Sequence, residues 1–518
     1  MVNEILKLCM SKGFLLDKEM LELLSSFEEK NVLQVVNILA SLGIEERVIT
    51  KDIFMAHSDR FKNILAADKD VGVLLDKDVE AEAEEGVGGM GRVKLLSVPS
   101  FPQRKIEVRD FVNHFKFRYD VLNEILAKGD YNNLSSIRKI GIAQGSYVII
   151  GMVVSKRVTK NRNILLEVED STGKVNVLIN QNRQAVFEKG RNLMLDDVVA
   201  FRVSGTSDIL FVDDLIFPEA GLDTELVSNF DEWVAFSGDF HIGSTMFLEE
   251  ELLRFVKWIN GVEGTPEQRV IGKKIKYLFL TGDNIDGVNH YPGQEKFLNE
   301  MTSYDQYKKV EEILKLVRDD VEIIMCPGQH DSVWVGEPQP MISEKWAPGL
   351  HKIPNLHLVP NPSLIEIDGG FKVLMYHGAS INRFIDEMSD IRTKFGHSEP
   401  TRIVEEMLKR RHLAPMHSLV DYIPCEKNDP MVIDIVPDIV ATADQHRAEV
   451  AKRHNILMIA SSCWQSITPF EEKVGNVPIP CRVPVFNLKN RDVKMFDFSE
   501  GVEEVDVKIR EGGNENRS

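Results

Sequence analysis

Apolar residues recur at helical spacing near the start of the chain. Ile5, Leu6 and Cys9 form one such group, and similar groups follow around Leu21 and Val35. Side chains three or four positions apart lie on one face of a helix. The pattern therefore predicts a helical lobe over residues 1–60. A comparable pattern around Phe111 predicts a helical connector over residues 101–138.

Two segments lack any usable apolar period. Residues 61–100 contain the acidic and then glycine-rich run DKDVEAEAEEGVGGMGR, which predicts a flexible linker. Residues 501–518 end in EGGNENRS, which predicts a polar, frayed tail.

Residues 139–220 change to short β-rich runs separated by turn residues such as Ser171-Thr172-Gly173. About five strands in a segment of this length predict an OB-fold barrel, a fold that often holds single-stranded nucleic acid. A basic group in this segment either contacts phosphates or forms the solvated tip of a hairpin, and the pattern favours neither alternative. Its members are Lys156, Arg157, Lys160 and Arg162.

Residues 231–500 alternate strand-like runs with helical stretches, which is typical of an α/β sandwich. The strand-like runs include WVAFSG, YLFLTG, VEIIMCPG, KVLMYHG, DIVATAD and ILMIASS. The final run VPVFNLKNRDVKMFDF predicts a hairpin that closes the sheet. The fold class predicted for the whole chain is multidomain, an α/β sandwich preceded by a β-barrel and an N-terminal helical lobe.

Composition indicates the class of protein and its cellular compartment. Hydrophobic residues make up 43% of the chain and charged residues 28%, the balance of a soluble globular protein. No apolar run approaches the ~20 residues that span a bilayer, and no secretory signal is visible. The five scattered cysteines form no C-x-x-C pair. We therefore expect a cytoplasmic protein with no membrane partner.

The formal net charge of −19 argues against a protein that grips DNA by bulk electrostatics. Either DNA contacts are local, or a partner supplies most of the positive field. Composition by itself favours a simpler interpretation, an acidic enzyme with a small-molecule substrate.

Histidine, aspartate and glutamine residues follow five of the predicted strands directly. Active sites of open α/β sheets collect at the carboxyl ends of strands, and residues two apart in an extended segment point to the same side. Each motif is ordinary when taken singly, but together they predict a site rich in oxygen and nitrogen ligands. The residues are Asp239 and His241; Asp283 and Asp286; Gln329, His330 and Asp331; His377; Asp444 and His446.

The order of these motifs resembles the signature of calcineurin-like metallophosphoesterases: D-x-H, G-D-x-x-D, G-N-H-D, a strand-end His-Gly, and G-H-x-H. Two further stretches, KRRHLAPMHS at 409–418 and SSCWQSITPF at 461–470, resemble the small subunits of archaeal family D DNA polymerases. This resemblance implies that residues 231–500 form a metallophosphoesterase (exonuclease) domain, preceded by the OB-fold and the helical lobe.

The resemblance also implies roles for the residues. Asp283 would bridge two divalent cations, manganese or magnesium. Asp239, His241 and His446 would complete one site, and Gln329, His377 and Asp444 the other. His330 would act on the phosphate or the leaving group, and Asp331 would orient its ring.

The implied activity is metal-dependent 3′→5′ exonuclease (proofreading) hydrolysis of single-stranded or primer–template DNA ends. The implied partner is a large catalytic polymerase subunit, in a chromosome-associated complex. The chain contains no nucleotide-polymerising motif, so we expect DNA polymerase activity only with the large subunit.

Two positions depart from the family pattern. Gln329 replaces an asparagine, and Asp444 replaces a histidine. Additional negative charge would hold a hard cation more tightly while weakening its Lewis acidity, which predicts an exonuclease that is retained but attenuated. The alternative is a catalytically silent scaffold subunit. A free phosphodiesterase acting on small substrates is a third interpretation, which the OB-like segment and the KRRHLAP stretch disfavour.

Overall fold

The computed structural model describes residues 93–102, 104–474 and 476–512, together with isolated positions between Cys9 and Ile49. The chain forms two compact units, Met1–Gly88 and Gly89–Ser518. Among the described residues, no helix combines the length and the apolar character that crossing a bilayer requires.

The described positions of the first unit are partly helical. Cys9, Leu24 and Val35 are helical and fully buried. Two short strands, β1 (Leu15–Leu16) and β2 (Val48–Ile49), pair in parallel. This pairing adds two short strands to the segment predicted as a helical lobe. The rest of the predicted lobe, and the predicted linker up to residue 92, lie outside the described residues.

The second unit begins with β3 (Val93–Leu95), followed by helix α1 (Val108–Ala127). Strand β3 lies inside the segment predicted to be a flexible linker, so that prediction is wrong for residues 93–95. Helix α1 begins at a capping box, in which the Asp110 carboxylate accepts a hydrogen bond from the Glu107 backbone at 2.7 Å. Its buried residues follow a four-residue spacing; they include His114, Arg118, Leu122 and Leu126.

A closed five-stranded barrel follows, with strand order β4-β5-β6-β8-β7. Its elements are β4 (Gly145–Val158), β5 (Ile164–Asp170), β6 (Gly173–Ile179), α2 (Gln184–Arg191), β7 (Val198–Gly205) and β8 (Leu210–Ile216). The predicted turn between β5 and β6 forms because Asp170 accepts hydrogen bonds from the backbone of Thr172 and Gly173. The Lys156 ammonium group donates to the carbonyls of Arg191 and Leu193, so Lys156 is engaged within the barrel.

The remaining residues form an α/β half. The strands are β9 (Trp233–Ser237), β10 (Ile275–Thr281), β11 (Glu322–Cys326), β12 (Leu356–Leu358), β13 (Ser363–Ile367), β14 (Phe371–Met375), β15 (Ile439–Thr442), β16 (Glu449–Arg453), β17 (Ile456–Ala460), β18 (Arg482–Asn487), β19 (Val493–Asp497), β20 (Glu503–Val505) and β21 (Arg510–Glu511). The helices are α3 (Glu249–Ile259), α4 (Pro266–Lys274), α5 (Ser303–Leu314), α6 (Ile381–Glu387), α7 (Ser389–Lys394), α8 (Thr401–Arg410) and α9 (Pro469–Val474).

These strands form two seven-stranded sheets, with orders β12-β11-β10-β9-β18-β19-β20 and β21-β16-β17-β15-β14-β13-β3. Along β10, Tyr277 and Phe279 pack in the layer between the two sheets, whereas Leu278 and Leu280 pack with α3 and α5 on the outer face. The second sheet is covered on its outer face by α6 and α8. The architecture is the α/β sandwich that the alternating pattern predicts.

The end of the chain is more ordered than predicted. Strand β20 pairs with β19, and β21 pairs with β16 at an edge of the second sheet. The prediction of a frayed tail from residue 501 is therefore wrong up to residue 512, and residues 513–518 lie outside the described part. The predicted hairpin of β18 and β19 is present.

The KRRHLAP stretch forms a joint between the α/β half and the barrel. The Arg410 guanidinium lies 3.0 Å from Asp197, which precedes β7. Both side chains are buried. Leaving either partner unpaired would strongly destabilise the joint.

A second buried cluster, here called the Asp429 cluster, joins α1 to the α/β half. It consists of His114, Arg118, His412 and Asp429. The Asp429 carboxylate lies 2.9 Å from Arg118 Nε and 3.0 Å from His412 Nε2. Arg118 also donates to the Pro415 carbonyl at 2.6 Å. The stretch that resembles the polymerase subunits thus serves to hold the architecture together.

Candidate metal centre

The carboxyl ends of the predicted strands meet at one place. Strands β9 and β10 are parallel in the first sheet, and β14 and β15 are parallel in the second. In each sheet the carboxyl ends of the two strands therefore lie side by side. The structure gathers six of the predicted residues into three overlapping groups, with ligand atoms within 4.8 Å of one another in each group. The groups are Asp239, His241 and His446; His241, Asp283 and His330; and Asp239, Asp283 and His377.

The backbone is strained at the predicted ligands. The φ angle is +48° at Asp239 and at His241, +47° at Asp283, +68° at Asp444 and +55° at His446. A left-handed conformation costs an L-residue on the order of 1–3 kcal/mol and persists only where the surrounding structure enforces it. Five of the fourteen non-glycine residues with this conformation in the described part of the chain are thus predicted ligands.

Backbone hydrogen bonds between neighbouring loops hold this geometry. The Asp239 amide donates to the Gly282 carbonyl and the His241 amide to the Asp283 carbonyl, each at 3.0 Å. The Asp239 carboxylate accepts from the Asp444 amide at 3.1 Å. The loops after β9, β10 and β15 are thus tied directly to one another.

Gly328 brings the loop after β11 against Asp283. A Cβ atom at position 328 would lie 2.2 Å from Asp283 Oδ1, so a larger residue would displace either the carboxylate or the loop. The backbone amide of His330, two residues after Gly328, donates to the same oxygen at 2.8 Å.

Two imidazole rings are oriented by acceptors outside the ligand groups. His377 Nδ1 lies 2.8 Å from the Thr281 carbonyl, and His446 Nδ1 lies 2.7 Å from the Glu471 carboxylate. An outer acceptor of this kind sets the tautomer and directs the other ring nitrogen toward a metal. Sequence reasoning missed Glu471, although Thr468-x-x-Glu471 forms a capping box that marks the start of α9.

His330 is held differently from the prediction. Its Nδ1 lies 2.7 Å from the Asp286 carbonyl. Asp331 instead accepts hydrogen bonds from the Gly328 amide at 2.8 Å and the Tyr307 hydroxyl at 2.9 Å. The prediction that Asp331 orients the His330 ring is wrong, because the Asp331 carboxylate is occupied in shaping the loop that carries His330.

His241 Nε2 and His446 Nε2 face each other at 3.1 Å. Two nitrogens that occupy adjacent positions of an octahedral cation, each about 2.1 Å from it, would stand about 3.0 Å apart. The observed separation therefore suits joint ligation of one ion.

Two buried polar atoms that face the ligand groups lack a hydrogen-bond partner: Asp239 Oδ1 and His377 Nε2. His241 Nδ1 faces away from His446 and lies 3.4 Å from Asp286 Oδ1. An unpaired polar atom in the interior is costly unless something compensates it. A divalent cation accepts lone pairs from carboxylate and imidazole groups alike. The residues thus fit a metal.

The charges of the site are strongly coupled. Burial raises the pKa of Asp239 to about 7. Burial also acts to raise the pKa of Asp283, but the neighbouring imidazoles, with His377 foremost, hold it well below its ordinary value. Burial acts to lower the pKa of His377, yet Asp283 and Asp239 hold it well above its ordinary value. Imidazole protons thus balance the carboxylate charge, and a bound cation would release them.

The two residues that depart from the family pattern lie at the rim. Asp444 Oδ2 accepts from Gln445 at 2.6 Å and from Asn382 at 3.1 Å, while its Oδ1 stands 3.8 Å from His377 Nε2. Asp444 is outside the three ligand groups. Gln329 is half-buried, between Gly328 and His330.

Comparison with known proteins agrees with the chain's sequence motifs. Residues 234–451 match the family model for the B subunit of DNA polymerases alpha and epsilon. The DNA polymerase II small subunit of Methanothermobacter thermautotrophicus is 35% identical over 394 residues, which cover 76% of this chain and 80% of that protein. The small subunit of Halobacterium salinarum is 36% identical over 401 residues, covering 76% and 75%.

Solved structures give weaker matches. Vps29 from Entamoeba histolytica, in complex with zinc, is 16% identical and covers 53% of this chain and 98% of its own, with a TM-score of 0.26. A likeness this distant adds nothing to the sequence relationship. On the strength of its curated relatives, the chain belongs to the family of archaeal DNA polymerase II small subunits.

Proposed function

We propose that this small subunit is a metal-dependent 3′→5′ exonuclease that removes nucleotides from DNA ends. The observation that carries the proposal is the overlap of the three ligand groups, since Asp239 and Asp283 each belong to two of them. Shared carboxylates are what a pair of divalent cations requires. Asp283 would bridge the ions, as its place between His241 and His377 supports.

The remaining predicted ligands divide between two ions, manganese or magnesium. Asp239, His241 and His446 would hold one, and His377 the other, with Gln329 and Asp444 at its edge. Bound cations of this kind supply an activated water and neutralise the charge of the phosphodiester.

The chain's own residues would position the substrate and move a proton. His330 Nδ1 is fixed against the Asp286 carbonyl, which leaves Nε2 to contact the phosphate or to protonate the leaving oxygen. Burial acts to lower the pKa of His330, but Asp283 outweighs it and raises the pKa above its ordinary value. Asp331 would contribute by holding the loop.

The proposed setting is a heterodimer with a large catalytic subunit. The substrate would be a single-stranded or primer–template 3′ end. The closed barrel of β4–β8 has the strand number of an OB-fold, and we assign it to that fold. Arg157, Lys160 and Arg162 are exposed near the tip of its longest hairpin, where they would meet phosphates.

The decisive experiment incubates the purified chain with 3′-labelled single-stranded DNA and manganese. We expect label release that chelator abolishes and that His330→Ala slows by about 10²–10⁴-fold, the range for loss of a general acid. His454→Ala is the matched control, because His454 is half exposed at the opposite end of β17. Equal inertness of wild type and His330→Ala would end the exonuclease assignment.

A second candidate function is a silent scaffold, and the position of Asp444 favours it. Its carboxylate is held by Asn382 and Gln445 rather than by the ligand groups. Asp444→His would restore the family imidazole. A gain of nuclease activity in this variant over an inert wild type, with unchanged assembly on the large subunit, would identify the natural chain as the scaffold.

A further inference from the structure

A small groove lies beside the loop that carries His330. Its volume is about 180 Å³. We call it the aromatic groove and define it by Tyr304, Tyr307, Lys308, Trp346 and Lys352, all of which line it.

Two of the three aromatic side chains that define this groove are exposed to solvent. Trp346 is 40% exposed and Tyr304 51%, whereas Tyr307 is buried. Exposed tryptophan and tyrosine side chains side by side are typical of a recognition surface. A flat aromatic partner could stack on them.

The charge of the groove distinguishes between classes of partner. Lys308 and Lys352 are exposed at its rim, and the Lys345 ammonium lies 4.9 Å from the centre of the Trp346 ring. Glu311, which also lines the groove, is paired with Lys315. Lysine is depleted from protein–protein interfaces but contacts nucleic-acid phosphates. In a chain of net charge −19, such a local cationic rim favours a polyanion.

The groove lies on the same side of the molecule as the candidate metal centre. Helix α5 forms part of the connection between the parallel strands β10 and β11, so it begins at the edge where β10 ends. Tyr304 occupies its first turn. The Tyr307 hydroxyl bonds to the Asp331 carboxylate and to the Ser332 amide, each at 2.9 Å.

We propose that the aromatic groove binds a nucleobase of single-stranded DNA, with lysines contacting the flanking phosphates, on the strand that leads to the metal centre. Stacking on Tyr304 and Trp346 requires no particular base, because every base has an aromatic face. This inference rests on the proposed function for the direction of the strand, but binding itself does not require hydrolysis.

The test measures binding of fluorescein-labelled oligothymidylate to the full chain by anisotropy in chelator. Trp346→Ala should raise Kd by roughly 5- to 150-fold, the loss of one stacked base, while Trp346→Phe should retain most of the affinity. Lys308→Ala combined with Lys352→Ala should lower the slope of log Kd against log salt by about 1.4, the loss of two phosphate contacts.

Matched controls lie where β9 begins and β18 ends, at the opposite end of these strands from the candidate metal centre. Phe230 is 55% exposed and lies ahead of β9, and Lys489 is exposed after β18. Phe230→Ala and Lys489→Ala should leave Kd unchanged. Melting curves of every variant report whether it is folded.

Three results would overturn the inference: no DNA binding by the wild type, an unchanged Kd in Trp346→Ala, or equal losses in Phe230→Ala. A Trp346→Ala variant that keeps its DNA affinity while losing association with the large subunit would assign the groove to protein docking instead. Because chelator silences hydrolysis, failure of the exonuclease assay leaves this test intact, and failure here leaves that assay intact.

Discussion

The Asp429 cluster and the candidate metal centre use the same side chains to different ends. Both bury histidines around carboxylates. In the Asp429 cluster the chain supplies its own cation, the Arg118 guanidinium, 2.9 Å from the carboxylate. Among the described residues, no lysine or arginine forms an ion pair with Asp239 or Asp283, and Asp239 Oδ1 and His377 Nε2 have no hydrogen-bond partner.

The difference separates a cluster that the architecture needs from one that fits a bound cation. A carboxylate paired with a buried arginine is needed for the architecture. A group of buried carboxylates and imidazoles that pairs with no lysine or arginine, and whose residues adopt a left-handed backbone, is arranged for a cation that the chain does not provide. Composition alone cannot distinguish the two.

The largest expected effect is on stability. Asp429→Asn leaves Arg118 buried without its counter-charge, so the free energy of unfolding should fall by about 3–5 kcal/mol. Asp239→Asn, measured in chelator, should leave it unchanged or raised, because no lysine or arginine is paired with that carboxylate and burial already disfavours its charged form. Denaturant unfolding followed by circular dichroism gives both values. If both substitutions lowered the free energy of unfolding equally, the distinction between the two clusters would be wrong.

The Asp429 cluster should also respond to acid. Burial lowers the pKa of His412 to about 4, from an ordinary value of 6.5. Between these values the unfolded chain binds a proton that the folded chain does not, so stability falls as pH falls, on the order of 3 kcal/mol in total. His412→Gln should flatten this part of the pH profile in chelator. An unchanged slope would show that other groups carry it.

The metal centre should respond to manganese instead. A cation that binds only the folded chain raises the free energy of unfolding by about 2.7 kcal/mol at a hundredfold excess over Kd. The gain should vanish in His241→Ala and persist in His454→Ala. Thermal melts with and without manganese provide the measurement, and a gain retained by His241→Ala would place the ion elsewhere.

The smallest effect concerns the outer carboxylate. Glu471→Gln removes the charged acceptor that orients His446, and manganese affinity should fall by about 10- to 100-fold. The neighbouring Glu472 is exposed, so Glu472→Gln is a direct control. Calorimetric titration distinguishes the two, and matching affinities would show that Glu471 serves only the start of α9.

Local pattern was sufficient to predict the strand ends. The apolar runs before Asp239, Asp283, His377 and Asp444 are buried strands, and parallel pairing brings their carboxyl ends together. The barrel could be predicted for the same reason, since its turns are set by neighbouring residues.

Long-range partners could not be predicted in this way. Arg118 and Asp429 are 311 positions apart, and nothing in the sequence around either residue indicates the other. The role of Asp331 was mistaken because its true partner, Tyr307, comes from a different element. Strand β21 was missed because its two residues are polar and pair through the backbone alone. Strand β3 was missed because its three residues are too few to show an alternating pattern.

The two edge strands of the second sheet are β3, which precedes the barrel in the sequence, and β21, which lies near the end of the chain. An exposed edge strand can pair with other chains through its free backbone groups and so promote aggregation. Truncations that begin after residue 95 or stop before residue 510 would uncover backbone donors and acceptors on β13 or β16. Shortened versions prepared for crystallisation should therefore keep both terminal segments to remain monodisperse.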